Sequence, residues 1–583
     1  MSSTLTTQIC NVLVIGAGGA GLSAAIEARI KGLSVIVCGK RYREDAHTVL
    51  AAGGINAALA NVDQEDCWQQ HFADTYIEGY GIGEPDIIEL MAKESPECVQ
   101  EIDDWGANFA KTKDGKIDQR FFGAHTYRRT CYSGDYTGQS ILRTLVNKAD
   151  SLQIPINDSE YVTGLLVEQN TCFGAVTFNL KTGSKSVFLA DAIVLATGGH
   201  TRIWRRSSSR KNENHGDGLY LGLNAGCQLI DMEMVQFHPT GMLAPEEHAG
   251  TLVTEAVRGE GGQLFNAKGE RFMQNYDSER MELSTRDRIA LANYTEIIEG
   301  RGTPNGGIYL DISHKEKSFI IEKIPSIYRQ FIDLQMLDIS KYPMEVAPTA
   351  HYSMGGLCVS SYEHSTSVEG LYAAGEVAGG LHGANRLGGN SLAEILVFGK
   401  RAGNAAAQRS LSVETLIRPR SVIDEELQKI DDIVGEGEEI PKQIENDLND
   451  LMWNHCGVLR DEASMNKGLE KLEELKRRAM NLDIRVDSFS ADELVMGFNL
   501  KASICSAEAT LLSAIERRES RGSHQRSDYP EINKEQNCNY MISMDSDNHL
   551  KTTKKELADL RPELKEILEN TNKITNFSGR LLE

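Results

Sequence analysis

The 583 residues carry 61 Lys and Arg against 84 Asp and Glu, a net charge of −23 at pH 7, and the length alone predicts about four structural units. That deficit excludes nucleic-acid binding, or docking on an anionic lipid face, through the chain's own charge, because both need a positive surface. With 40% hydrophobic and 25% charged residues the chain is globular rather than disordered, and its 53 Gly against 13 Pro raise the question of where backbone is left bare.

The first 26 residues carry no charge. They do not read as a signal peptide or anchor: no Lys or Arg precedes the apolar part, and four glycines break the run Val12 to Ile26, which is shorter than the roughly 20 residues of a spanning helix. Residues 11 to 30 (NVLVIGAGGAGLSAAIEARI) instead predict strand, Gly-rich turn and helix, with LSVIVCGK (33 to 40) as the next strand. Gly16, Gly18 and Gly21 stand at GxGxxG spacing. The first glycine makes the tight turn, the second admits a pyrophosphate to the backbone, and the third lets helix and strand pack closely. The ribose-binding acid expected about 20 residues on is missing. The second strand ends Cys38-Gly39-Lys40, with no carboxylate until Glu44, which favours FAD with another adenosine contact over plain NAD.

Eleven cysteines, scattered from Cys10 to Cys538 with no CxxC, predict no disulfide framework, zinc site or iron–sulfur cluster, and so reduced, cytoplasmic surroundings. Farther along, CFGAVTFNL, KTGS and KSVFLA predict a hairpin, and DAIVLATGGH a further central strand ending on Thr197-Gly198-Gly199. GLYAAGEVAGG (370 to 380) is similar, so the sheet is assembled from separated stretches with an insertion at about 237 to 351. Beyond about 412, IDEELQKIDDIV and GLEKLEELKRRAMNL have the spacing of amphipathic helices in a packed bundle. The part after 528 reads as a polar tail with one helix near Pro562 to Leu568.

Four clusters carry chemistry: DAHTVLAAGGI (45 to 55), MVQFHPTG with LVTEAVRGEGG (234 to 262), STRDR (284 to 288), and APTAHYSMGG (347 to 356) with LHGANRLGGNSLAE (381 to 394). From residue 11 to the closing RRESRGSHQRSDYP these strings closely resemble the flavoprotein subunit of succinate dehydrogenase and fumarate reductase. The resemblance implies an α/β fold: a glutathione-reductase-like, Rossmann-type FAD-binding domain (1–236 and 352–412) interrupted by an α+β capping domain (237–351), then a helical domain (413–527) and a C-terminal tail (528–583). It implies FAD contacts at Gly16, Gly18, Gly21, Lys40, Thr48, Gly53, Gly54, Thr197, Gly198, Asp217, Glu376, Ser391 and Leu392, with the flavin covalently attached to His47. The family usually reads Arg-Ser-His before that turn, where this chain has Asp45-Ala46-His47. The alternative is an ordinary loop histidine beside a non-covalent flavin.

For the substrate, succinate or fumarate, the resemblance implies a clamp of His238, Thr254, His351 and Arg386. Arg386 offers a planar fork for a carboxylate, and the histidines donate hydrogen bonds, more strongly if protonated. His71, His314, His364, His455 and His549 are read as ordinary surface or core residues. Arg286 is the implied proton carrier, with Glu255 and Arg258 as relay, while hydride passes between substrate carbon and flavin N5. Neutralising an arginine of reference pKa ~12.5 to 13.8 at pH 7 costs roughly 8 kcal/mol, a cost that falls on succinate oxidation and not on fumarate reduction. The structural alternative for Arg286 is a salt bridge to Asp287 or Glu282. With no cluster-binding cysteines and no spanning stretch, electrons are expected to reach a quinone pool through an iron–sulfur partner subunit. Through it the chain is expected to reach a membrane anchor, on the cytoplasmic face. Alternatives are a soluble fumarate reductase with another donor, L-aspartate oxidase, which usually has NRLASNS where this chain reads NRLGGNS, and a flavin-containing assembly subunit without turnover. No resident metal is expected.

Overall fold

The computed structural model describes residues 5–486 and 491–574. Its central sheet has five parallel strands in the order Leu371–Ala373, Ala192–Leu195, Val12–Ile15, Val35–Gly39 and Ile156–Asp158. The apolar runs at 12, 35, 192 and 371 are buried along their whole length, as parallel strands covered on both faces must be. Val12 pairs with Val35 on one side and Ala192 on the other, so segments far apart in the chain meet at one sheet end. The helix Gly19–Ile30 follows the first strand and packs on the helix Asn390–Ser412 so tightly that a Cβ at Gly403 would lie 2.3 Å from the Ala24 carbonyl oxygen. The expected hairpin is present: Thr171–Asn179 pairs antiparallel with Lys185–Leu189, within a second, four-stranded sheet.

Between about 237 and 351 an antiparallel sheet forms in the order Val235–Met242, Met344–Ser353, Ile308–Asp311, Gln263–Phe265. The first and last strands of this stretch are neighbours, pairing Val235 with Ser353 and His238 with Thr349, which brings the HPTG and HYSMGG motifs side by side. Four helices follow at Arg420–Asp432, Pro441–His455, Glu462–Arg478 and Asp492–Glu516. The third is capped by the Asp461 carboxylate, which accepts from the Ser464 amide at 2.9 Å.

The stretch beyond 528 holds more than the single helix expected of it. Besides Pro562–Ile574, the strands Cys538–Met544 and Leu550–Glu556 form an antiparallel hairpin that adds to Leu229–Ile230. At its base Arg517, fully buried, donates to Glu233 at 2.5 Å and pairs with Asp231 and Glu519. The RESRG motif is thus a buried ionic staple, and removing one partner would leave an uncompensated charge. Among the described residues no helix is long and apolar enough to cross a membrane.

Candidate active site

The C-terminal ends of the central strands open on a cleft of about 420 Å³. Gly16, at φ +116°, lies so close to the next strand that a Cβ would fall 2.1 Å from the Ala196 carbonyl oxygen. A Cβ at Gly21 would fall 1.8 Å from the Gly16 oxygen, so this glycine serves helix–strand packing, as its place in the motif requires. Gly18 differs: its nearest neighbour would be the Thr48 hydroxyl at 3.5 Å, leaving its backbone open to the cleft. Thr48 Oγ1 accepts from the Gly19 amide at 3.0 Å, fixing the loop after His47 against the helix N-terminus. Gly53, Gly54, Thr197, Gly198, Glu376, Ser391 and Leu392 line the same cleft. The Thr197 hydroxyl is buried with no protein partner among the described residues. At the far end the Lys40 ammonium donates to Asp217 at 3.0 Å and to Asn499 at 2.7 Å, and the Tyr161 hydroxyl donates to Asp217 at 3.0 Å. A carboxylate does therefore stand where the second strand ends, supplied by Asp217 from another helix. Bare backbone, a helix N-terminus and an unsatisfied hydroxyl suit a dinucleotide phosphate.

His47 also faces the cleft, with 32% of its side chain exposed. Its Nδ1 lies 2.8 Å from Glu213 Oε1. Burial alone would lower the His47 pKa, but the Glu213 carboxylate raises it overall.

The inserted stretch supplies the opposite wall. His238, Thr254, Glu255, Arg286, His351 and Arg386 all line the cleft, whereas Arg258 sits one layer behind. The rings of His238 and His351 are 5.3 Å apart, edge to face. His238 Nδ1 accepts from the Thr240 amide at 3.2 Å, so its proton sits on Nε2, and His351 Nδ1 contacts the Ser208 hydroxyl at 2.9 Å. Burial, then the surrounding cations, hold both histidines well below their ordinary pKa. They act as neutral donors, which corrects the expectation that the site protonates them.

Arg286 donates through Nε to Glu255 at 2.8 Å. The expected alternative partners are engaged elsewhere: Asp287 accepts from Tyr80 and Asn385, and Glu282 from Arg271. Burial would raise the Glu255 carboxyl, but Arg286 and Arg258 hold it down to about 2. Arg258 stands 3.8 Å from Glu255 and donates to the Glu282 carbonyl at 2.7 Å. Arg386 donates to Ser391 at 3.0 Å and lies over the Tyr352 ring at 4.3 Å. Burial and the nearby Arg286 bring its pKa down to about 10.

Two residues escaped the sequence reading. Gln236, two residues before His238, accepts through Oε1 from both Arg286 (3.1 Å) and Arg386 (3.0 Å). Its signal was a fully buried polar residue inside an apolar strand of a motif already singled out. Glu213 lies 166 positions from His47, with no local pattern to tie the two together.

Fold and site together define an FAD-dependent oxidoreductase. The FAD binding domain family matches residues 11–392, and the fumarate reductase flavoprotein C-terminal family matches residues 445–573. The flavoprotein of the fumarate reductase (CoM/CoB) of Methanothermobacter marburgensis is 43% identical over 527 residues, covering 90% of this chain and 95% of that protein. The succinate dehydrogenase flavoprotein subunit of Rickettsia bellii is 36% identical, covering 91% and 92%. The solved structure of Mycobacterium smegmatis Sdh1 in complex with UQ1 superposes with a TM-score of 0.89 at 39% identity, covering 99% of this chain and 100% of that one. The chain belongs to the succinate dehydrogenase and fumarate reductase flavoprotein family.

Proposed function

We propose that this chain interconverts succinate and fumarate. One observation carries the reading: two arginines, two neutral histidines and Thr254 converge on the cleft that the nucleotide cradle also lines. A four-carbon dianion presents two carboxylates, and Arg386 offers one of them a planar fork. Its buried Nε has no protein partner among the described residues, a donor left for a ligand. His238, His351 and Thr254 supply neutral donors for the remaining oxygens, so charge is neutralised mainly by arginine.

Bound FAD supplies a two-electron hydride acceptor or donor. Arg286 supplies the proton to the adjacent carbon in the fumarate direction and takes it up in the succinate direction. Glu255, ionised and 2.8 Å from Arg286, is placed to exchange that proton, and Arg258 extends the path towards Glu282 and the half-exposed Arg271. We further propose that His47 bonds the flavin covalently, its Nδ1 already committed to Glu213.

Electrons pass to an iron–sulfur partner subunit, then through a membrane anchor to a quinone. This places the chain peripherally on the cytoplasmic face of a membrane. The solved relative bound to UQ1 supports this route. A second reading, a soluble fumarate reductase with another donor, is supported by the 43% identical relative whose name carries CoM/CoB. L-Aspartate oxidase is disfavoured at Gly388, where a Cβ would come 3.1 Å from the Arg286 guanidinium and 3.2 Å from Phe122. An alanine there, as in NRLASNS, would displace the proton carrier. A subunit without turnover is disfavoured by the complete set of clamp and relay residues on one cleft.

Adding succinate to the purified flavoprotein should bleach its flavin absorbance, and L-aspartate should not. Reduction by aspartate and not by succinate would overturn the assignment.

A further inference from the structure

We infer that Glu213, steadied by Arg210, Asp45 and Arg41, is the positioning residue that lets His47 form its bond to flavin. The inference rests on the covalent reading above and names what makes it possible in this chain. Asp45 occupies the place where the family usually has Arg, and its carboxylate pairs with Arg41 and, at 2.5 Å, with Arg210 Nη1. Arg210 also donates to the Asp45 carbonyl at 2.7 Å and, at 3.0 Å, to Glu213 Oε2. The Arg210 amide donates to Glu213 Oε1 at 2.8 Å. Glu213 is buried and cannot turn away without breaking these bonds, and the same Oε1 holds His47 Nδ1 at 2.8 Å. Two residues before His47, the substitution that departs from the family pattern is thus the anchor of a buried frame that ends on the imidazole.

The frame has a chemical consequence. A carboxylate accepting at Nδ1 keeps the proton on that nitrogen and the lone pair on Nε2, as the carboxylate of a catalytic triad does for its histidine. In bond formation the Nε2 lone pair joins the methyl carbon on the flavin's benzenoid ring, and that carbon releases one proton. The carbon–hydrogen bonding pair stays on the flavin, which fumarate, the acceptor in the proposed activity, reoxidises. The imidazole is left cationic, its Nδ1–H on Glu213, whose negative charge offsets the positive charge created. With the lone pair on Nδ1 instead, Nε2 carries a proton and cannot attack.

The test compares wild type, His47→Ala, Glu213→Gln and Glu213→Asp, expressed as the full chain. Total bound flavin is read from native absorbance, and covalent flavin from fluorescence of the denatured band and from the mass increment of one FAD. Wild type should be covalent, and His47→Ala flavin-loaded with no covalent signal. In Glu213→Gln total flavin should stay near wild type while the covalent fraction falls roughly tenfold or more, the usual cost of losing an orienting partner. Glu213→Asp, charged but one methylene short, should fall between the two. A wild type without covalent flavin sinks the attachment reading itself. A covalent wild type with an equally covalent Glu213→Gln overturns only the role of Glu213. Should Glu213→Gln hold no flavin, the aspartate variant decides: a wild-type covalent fraction overturns the inference. Loss of flavin from both variants also overturns it, by making Glu213 a determinant of the fold.

Discussion

Replacing Gln236 by Leu tests the site most directly. Arg286 Nη1 and Arg386 Nη2 lie 3.1 and 3.0 Å from the same amide oxygen, so the two cationic nitrogens are no more than about 6 Å apart. At that distance and an effective dielectric constant of ~20, two unit charges repel by roughly 3 kcal/mol. The amide oxygen offsets this with two charge-assisted hydrogen bonds worth about 1.5–3 kcal/mol each. Its Nε2 is held in turn by Asn385 at 2.8 Å and the Arg386 carbonyl at 3.0 Å, so the amide cannot flip. Leucine removes the acceptor, leaves no room for a water to replace it, and lets the guanidiniums part. About 3 kcal/mol of lost transition-state stabilisation corresponds to a roughly hundredfold lower kcat/KM, measured as fumarate-dependent oxidation of a reduced viologen dye. The melting temperature should also fall, because buried donors lose their partner. Gln236→Glu should behave oppositely in stability. It pairs with both arginines and raises the melting temperature, but occupies the positive field meant for substrate and raises KM about tenfold, one charge–charge contact's worth. A leucine variant within about threefold of wild-type kcat/KM would refute the view that one amide sets both arginines.

Two further perturbations have defined outcomes. Glu255→Gln removes the anion beside Arg286 and Arg258, whose field holds the carboxyl down to about 2. The expected loss is about 10²- to 10⁴-fold in kcat in both directions with KM little changed, and a raised KM with normal kcat would make Glu255 a binding residue instead. Burial also pushes His125 down to about 4 and His200 to about 3, along with His238 and His351. The unfolded chain takes up protons near ~6.5 that these rings refuse, so stability is lost as pH falls below about 6.5. His200 is held by Ser353 and Thr510 through groups glutamine can also engage. His200→Gln should therefore flatten the fall in melting temperature between pH 7.5 and 5.5, and an unchanged slope would show that the buried histidine does not contribute.

What could be read from the sequence follows from how local each signal is. Strands buried on both faces announce themselves as apolar runs, so Val12–Ile15 and Ala192–Leu195 were legible and their parallel pairing followed. The C-terminal hairpin was not, because Leu550–Glu556 is a mostly exposed strand whose sequence, LKTTKKE, reads as polar tail. The motif histidines and arginines were legible through their strings, whereas the state of those histidines was not. That His238 is neutral depends on burial and on arginines brought from residues 258, 286 and 386. Asn499 at Lys40 and Glu213 at His47 show the same limit, since each contact joins segments separated by 459 and 166 positions.

The cleft inverts the charge of the molecule that carries it. A chain of net charge −23 concentrates Arg258, Arg286 and Arg386 around one wall, two of them drawn to the carboxylate of Glu255 and two to the neutral oxygen of Gln236. Buried guanidinium without matching anions is costly, and among the described residues Nε of Arg386 and both Nε and a terminal nitrogen of Arg258 have no partner. The fold keeps the histidines neutral, so the excess positive charge stays on groups that cannot easily shed it at neutral pH. A dicarboxylate relieves that excess only if both of its ends reach the wall at once, which selects for length and charge together. The Glu255 carboxylate, held near 2, balances the proton carrier whether or not substrate is present. One anion therefore belongs to the protein and serves proton exchange, and the remainder of the deficit belongs to the substrate.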